Sequence, residues 1–172
     1  ALTRAWIDQS VIVANTGLRA TNPVPSAVFR ETMGYDAEPR TGPSDAAGMT
    51  WFEAIALANE LSRRDGLRPA YKLEFAQFDG SRLIAAVVSG IDANGWRLPT
   101  DAQWTITAKD APAQRNGAIW NWVFDENTDA TRVLRGGSWA DPVSARGIDA
   151  RSSVAPSTRM ELFGARFVRV AP

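Results

Sequence analysis

The alternation of apolar and polar positions is clearest in the middle of the chain. Trp51, Ala54, Ile55, Ala58 and Leu61 recur at helical spacing, which gives one buried face. Thr50 and Glu53 have capping-box spacing, Arg63 and Arg64 suit the negative end of the helix dipole, and Gly66 is a natural stop. A helix beginning after Thr50 is therefore predicted. Tyr71-Lys72-Leu73-Glu74-Phe75 alternates as a strand does, Asp79-Gly80 is a tight turn, and residues 83–88 read as the returning strand. Asn94-Gly95 turns the chain again into Trp96-Arg97-Leu98. Pro99 then precedes Thr100-Asp101-Ala102-Gln103, a second capping box, which opens a short helix to about Lys109.

The flanks are harder to read. Val11-Ile12-Val13-Ala14 has strand length, and residues 18–25 look like a loop punctuated by Asn22-Pro23 and Pro25. Phe29 to Tyr35 fits a single helical turn ending at Gly34, and residues 36–48 fit a loop. Residues 110–116 form a short connector before Gly117-Ala118-Ile119-Trp120-Asn121-Trp122. Two strand candidates close the chain, residues 132–135 and 166–170, and about thirty residues between them have no sustained period. No internal repeat or low-complexity tract is present.

Length and composition narrow the chemistry. A chain of 172 residues fits one domain, 1–172, long enough to bury roughly 70% of its unfolded surface. Nineteen basic residues balance nineteen acidic ones, without the basic stripe of a nucleic-acid binder. No apolar run reaches the ~20 residues of a membrane helix, and no charged-then-apolar leader opens the chain. Without cysteine there is no thiolate nucleophile or disulfide; without histidine the usual general base near neutral pH and the commonest metal ligand are missing. Carboxylates, Lys72, Lys109, tyrosines, hydroxyls and arginines remain, and few hydrolytic or redox schemes work with those alone. The expectation is a protein with no catalytic residues, no cofactor and no metal. Asp92, Asn94 and Asp125 as calcium ligands, and Asp141, Asp149 and Glu161 as a metal or acid/base cluster, lack any linking motif.

The stretch Arg132-Val133-Leu134-Arg135-Gly136-Gly137-Ser138-Trp139 joins a short strand to paired glycines that permit a tight bend. Arg151, Pro156, Arg159 and Gly164-Ala165-Arg166 follow in an irregular, small-residue segment. Upstream stand Met33-Gly34-Tyr35, Thr50-Trp51, Asn59-Glu60-Leu61-Ser62, Pro69-Ala70-Tyr71, Gly95-Trp96-Arg97-Leu98-Pro99-Thr100-Asp101-Ala102-Gln103-Trp104 and Trp120-Asn121-Trp122. In this order, over residues 33–170, the set resembles the formylglycine-generating-enzyme-like (sulfatase-modifying factor) branch of the C-type lectin fold. The variable proteins of diversity-generating retroelements belong to that branch. The resemblance implies an α+β fold of two main helices, short antiparallel strands and much irregular loop.

The departures from that pattern point away from catalysis. The branch's oxidases hold copper with a cysteine pair, one just past the Gly-Gly-Ser-aromatic motif, where Asp141 stands here; related sulfoxide synthases need histidines. Calcium-binding relatives carry Gly-Asn-Val-Trp-Glu-Trp, and the corresponding positions here include Ala118 and Asn121. The branch's variable proteins keep Trp, Gly and Arg as a scaffold and rewrite the positions between. In this chain those positions are Ala140, Asp141, Val143, Ser144, Ser152, Ser153, Val154, Thr158, Met160, Glu161 and Leu162, which share no chemical theme. They are the candidate ligand-binding residues, although a neutral surface loop would look the same. Ser153, Val154, Thr158 and Met160 should lie exposed together. Arg135, Arg151, Arg159 and Arg166 should be buried ties to loop carbonyls, and the tryptophans should pack the core, Trp139 as a large buried anchor. The expected partner is a protein or other macromolecule on a surface, with the chain at a cell surface, secreted or virion-associated, and oligomerisation left open. The alternatives are a divergent enzyme of this branch without its copper cysteines, and a structural phage or surface component.

Overall fold

A computed structural model describes residues 1–110 and 118–172; most of the connector expected at 110–116 lies outside the described residues. The described chain contains four α-helices and nine strands in three small sheets. No helix among the described residues is long and apolar enough to cross a membrane.

The two ends of the chain close on each other. Strand β1 (Val11–Val13) pairs with β2 (Leu18–Ala20), and β2 pairs with the C-terminal β9 (Val168–Val170), all antiparallel. Residues 18–20, read from sequence as loop, are thus the centre of a sheet. Three residues are too few to show a period, and the strand exists because Val170, Arg169 and Val168 lie opposite it. Helix α1 (Leu2–Asp8) was likewise illegible. Its N-terminal amides at Leu2 and Thr3 are accepted by Glu31, far along the chain, so the cap is tertiary. Helix α2 (Ser26–Met33) is longer than the single turn expected, but it stops at Gly34, whose φ of 80° is left-handed.

Helix α3 (Trp51–Arg64) has both bonds of the capping box, Glu53 N–H to Thr50 Oγ1 and Thr50 N–H to Glu53 Oε1. Trp51, Ala54, Ile55, Leu57, Ala58 and Leu61 on it are buried in the main core. The hairpin of β3 (Tyr71–Asp79) and β4 (Arg82–Gly90) follows, with register shifts around residues 74–78. Helix α4 (Asp101–Asp110) starts at the second capping box, where Thr100 and Gln103 exchange bonds. It covers a smaller core of Trp104, Ala108, Val123 and Val133.

The remaining strands form a four-stranded sheet of order β7-β6-β5-β8: β5 (Trp120–Glu126), β6 (Arg132–Gly136), β7 (Gly147–Val154) and β8 (Phe163–Gly164). Strand β7 corrects the expectation of an unstructured interval, since five of its eight residues pair with β6. Its sequence, Gly-Ile-Asp-Ala-Arg-Ser-Ser-Val, hides the strand because residues 148–150 bulge out of register between Arg135↔Arg151 and Gly136↔Gly147.

Trp51, Trp96, Trp104 and Trp122 are fully buried, and Trp6 nearly so. The indole N–H groups of three of them are satisfied at Val123 O, Asp65 and Met49 O. Trp120 and Trp139 are half-buried. Trp139 is therefore not a core residue; its ring lies on a loop.

Candidate functional site

The C-terminal segment is built outward from β6. Gly136 and Gly137 have φ of 101° and 78°, a conformation that side chains resist. A Cβ on Gly137 would also sit 3.0 Å from Arg146 Cα, so this close approach requires glycine. The chain then folds into a knot. The Asp141 carboxylate accepts the Ser138 amide (2.8 Å), the Ser138 hydroxyl (2.7 Å) and the Trp120 indole N–H (2.9 Å). Arg146 donates to Asp141 O and Trp139 O, closing the turn from the other side. Burial pushes the Asp141 carboxyl up, but the Ser138 and Trp120 bonds with nearby Arg146 outweigh it and hold the group below the usual carboxylate range.

The knot grips the loop at residues 40–42. A Cβ on Gly42 would lie 2.1 Å from Trp139 Cζ2, so the indole rests directly on that glycine. Glu161 takes the same loop from its other side, accepting Thr41 N–H (2.6 Å), Thr41 Oγ1–H (2.5 Å) and Gly42 N–H (3.2 Å). Those bonds, the Thr41 hydroxyl first, hold its carboxyl low. Asp141 and Glu161 thus have structural partners.

The arginines divide differently from the expectation. Arg135 is buried and is the tie foreseen: Nε donates to Ala150 O (3.1 Å) and Nη2 to Ile148 O (2.5 Å), while Nη1 pairs with Asp101 and bonds Thr105 Oγ1. Its guanidinium fills the β7 bulge and lies 4.7 Å from the Trp104 ring centre. Arg166 is buried, with Nε donating to Asn121 Oδ1. Arg159 is half-buried and pairs with carboxylates, Glu53 (3.0 Å) and Glu38 (3.3 Å). Arg151 is exposed and reaches Asp101 and Asn127. Sequence reasoning missed Arg146 altogether. It also missed Glu53 as a hub: beyond its cap, this buried carboxylate accepts from Tyr35 Oη (2.9 Å) and Arg159 and pairs with Arg82. A carboxylate inside a capping box, flanked by apolar residues, was the available signal.

Among the nominated residues, Ala140, Val143, Ser144, Ser152 and Met160 are exposed, while Ser153 and Thr158 are half-buried. Val143 and Ser144 belong to a 3₁₀ turn (Val143–Ala145) just before β7, and Ser152 and Ser153 lie at the far end of that strand. Of Ser153, Val154, Thr158 and Met160, expected to lie exposed together, only Met160 is exposed; Ser153 and Thr158 are half-buried, and Val154, also half-buried, packs against the main core as Leu162 does. Asp149, exposed on β7, was not nominated as a contact. At the calcium-like stretch, Asn121 is fully buried, its amide donating to Ile119 O and Arg135 O and accepting from Arg166. Among the described residues no three acidic side chains gather as a metal site.

The architecture has known counterparts. Treponema denticola variable protein 1 superposes with a TM-score of 0.68 at 19% identity, covering 89% of this chain and 84% of that one. The chain has the α+β, C-type-lectin-type fold expected from the sequence. CarF (TM-score 0.65, 18% identity, 90% and 87% covered) and PvdO from Pseudomonas aeruginosa (0.60, 14%, 89% and 80%) are similar in the same way. At these identities the likeness is one of fold. No protein-family model matches the chain. A segment of 74 residues is 30% identical to the chaperone protein LppX of Paenibacillus barcinonensis, covering 40% of this chain and 26% of that protein.

Proposed function

We propose that the chain is a non-enzymatic binding module that presents replaceable side chains on a fixed C-type-lectin scaffold, in the manner of the variable proteins of diversity-generating retroelements. The observation that carries this reading is the division of labour within residues 138–166. Ser138, Asp141, Arg146, Arg159, Glu161 and Arg166 direct their polar groups inward at the scaffold. Ala140, Val143, Ser144, Ser152 and Met160 stand exposed between them. Ser153 and Thr158 are half-buried, Asp141 and Glu161 are held by contacts to the scaffold, and Val154 and Leu162 pack against the main core. Such a surface binds with little ordering cost, because the side chains change while the backbone beneath them is pinned.

The partner under this proposal is a protein or other macromolecule displayed on a surface, and the module works at a cell surface, as a secreted protein or on a virion. The similarity to a solved variable protein supports the scaffold half of the reading. The test is a display library randomised at Ala140, Val143, Ser144, Ser152, Ser153, Thr158 and Met160. Most clones should resist proteolysis like the parent, and selection against folded proteins should yield binders. A library that is mostly protease-sensitive would refute replaceability. A flanking reverse transcriptase gene and a repeat of the segment differing only at template adenines would support diversification; a repeat differing at all bases would sink it.

A further inference from the structure

The loop at residues 40–42 gathers hydrogen-bond donors. Thr41 and Gly42 present consecutive amide N–H groups, and the Thr41 hydroxyl lies beside them. All three converge on the Glu161 carboxylate, the hydroxyl on one oxygen and both amides on the other. Arg40 stands next to them. Its guanidinium reaches Ser44 O and makes no ion pair among the described residues, so its charge adds to the attraction. Successive amides arranged in this way select anions. A carboxylate, which only accepts, is the group that uses every donor; an amide has one oxygen and a cation has none.

The site does not depend on the carboxylate that fills it. Gly42 is pressed against the Trp139 ring, and a Cβ on Gly48 would come within 2.6 Å of Met160 O and Glu161 Cα. Glu38 N–H donates to Gly48 O and Ala47 N–H to Val24 O, so the far end of the loop is tied to the scaffold. Removing the Glu161 side chain beyond Cβ therefore leaves the donors in place around an opening, and preorganised donors bind with little ordering cost. What Glu161→Ala removes is one methylene and one carboxylate, the shape of an acetate ion. The opening is at the surface, since Thr41 and Met160 are both exposed.

We infer that Arg40, Thr41 and Gly42 form a carboxylate-binding site that the chain fills with its own Glu161, and that opens to an acidic side chain of the partner wherever position 161 carries a shorter residue. The use by a partner rests on the binding-module reading; the site itself does not. Exchange at 161 then alters recognition by uncovering a fixed receptor next to Met160, without placing a new contact at 161.

Amide resonances of Thr41 and Gly42 in Glu161→Ala, titrated with acetate against matched chloride, test the site. Both should shift and saturate, while the parent, already filled, should not respond. Acetate should also raise the melting temperature of Glu161→Ala over the chloride control and leave that of the parent unchanged. Acetamide, which lacks the charge, should bind about tenfold more weakly or worse. N-acetyl-aspartate N-methylamide separates a protein side chain from a free small anion, and it should shift the same two amides. Glu161→Ser gives the same readings should the alanine variant not fold. Absence of saturable shifts at Thr41 and Gly42, equal shifts in the parent, or acetamide matching acetate overturns the site. Acetate binding without binding of the blocked aspartate overturns its use by a partner. A randomised library that fails would leave the acetate result standing, so the two readings fall separately.

Discussion

Two guanidiniums hold one carboxylate, and they should behave very differently when removed. Arg135 and Arg151 both pair with Asp101, yet side-chain exposure is 8% for the first and 46% for the second. In Arg135→Met the apolar stem still covers Trp104, while the carbonyls of Ile148 and Ala150 lose their donors. Each half-buried carbonyl left unpaired costs about 1 kcal/mol, at the low end of the range for unsatisfied groups. Losing the cation from the Trp104 face adds roughly 0.5–1 kcal/mol. The Asp101 pair contributes a similar amount, limited because Arg151 remains beside it. The sum is about 3 kcal/mol, or a fall of roughly 6–12 °C in melting temperature for a domain of this size. Arg151→Ala removes only an exposed pair and should cost about 0–1 kcal/mol. Urea and thermal unfolding of the two variants decide the matter, and hydrogen exchange should show faster exchange across the β7 bulge in Arg135→Met alone. Equal losses in the two variants, or an Arg135→Met protein that melts with the parent, would refute the plugged-bulge account.

The same geometry gives further expectations. On β7, Val154→Asp should cost about 2 kcal/mol or more by forcing a charge against the main core, whereas Ser152→Asp should stay within about 0.5 kcal/mol; a chemical-unfolding scan compares them. Trp139→Ala should cost about 1.5–3 kcal/mol, less than a core tryptophan, because the ring is only half-buried over Gly42. Asp141 and Glu161 titrate below the ordinary carboxylate range in the folded chain, so the unfolded chain takes up protons first as pH falls. Their stabilisation is complete above pH ~5 and is lost progressively through their lowered folded values. The urea midpoint should therefore drop in acid, and Asp141→Asn should show a shallower drop. Millimolar calcium should leave the melting temperature unchanged against chelator, since Asn121 is committed to Ile119, Arg135 and Arg166; a reproducible rise of several degrees would contradict this.

The legible part of the fold was local. Helix α3, the β3–β4 hairpin and the start of α4 announce themselves because cap, period and turn all lie within a few residues. The illegible parts depend on residues far apart in sequence. Helix α1 is capped by Glu31, β2 owes its strand state to β9, and β7 is held by β6 and by an arginine inside its bulge. The arginine expectation was half right for the same reason. The residue type identified a tie, but whether the guanidinium meets a carbonyl, as at Arg135, or a carboxylate, as at Arg159, depends on what the fold places opposite.

The candidate face shows the limit most sharply, because exposure changes within three consecutive residues of β7. Ser152 is exposed, Ser153 half-buried, and Val154 packs on the core, although all three read as equally unremarkable in sequence. Asp141 and Glu161 looked like free polar contacts, yet one closes the 138–146 turn and the other clamps Thr41. A polar residue between anchors is thus ambiguous until its partner is known: its donors and acceptors face either the solvent or the scaffold. This argues for a narrower replaceable surface than the whole interval, centred on Val143, Ser144 and Ser152, where substitution disturbs no contact described. If β7 is rigidly pinned at Arg135, those side chains can vary while the backbone that presents them stays fixed. That is the physical condition a binding surface must meet if its residues are exchanged without refitting the fold.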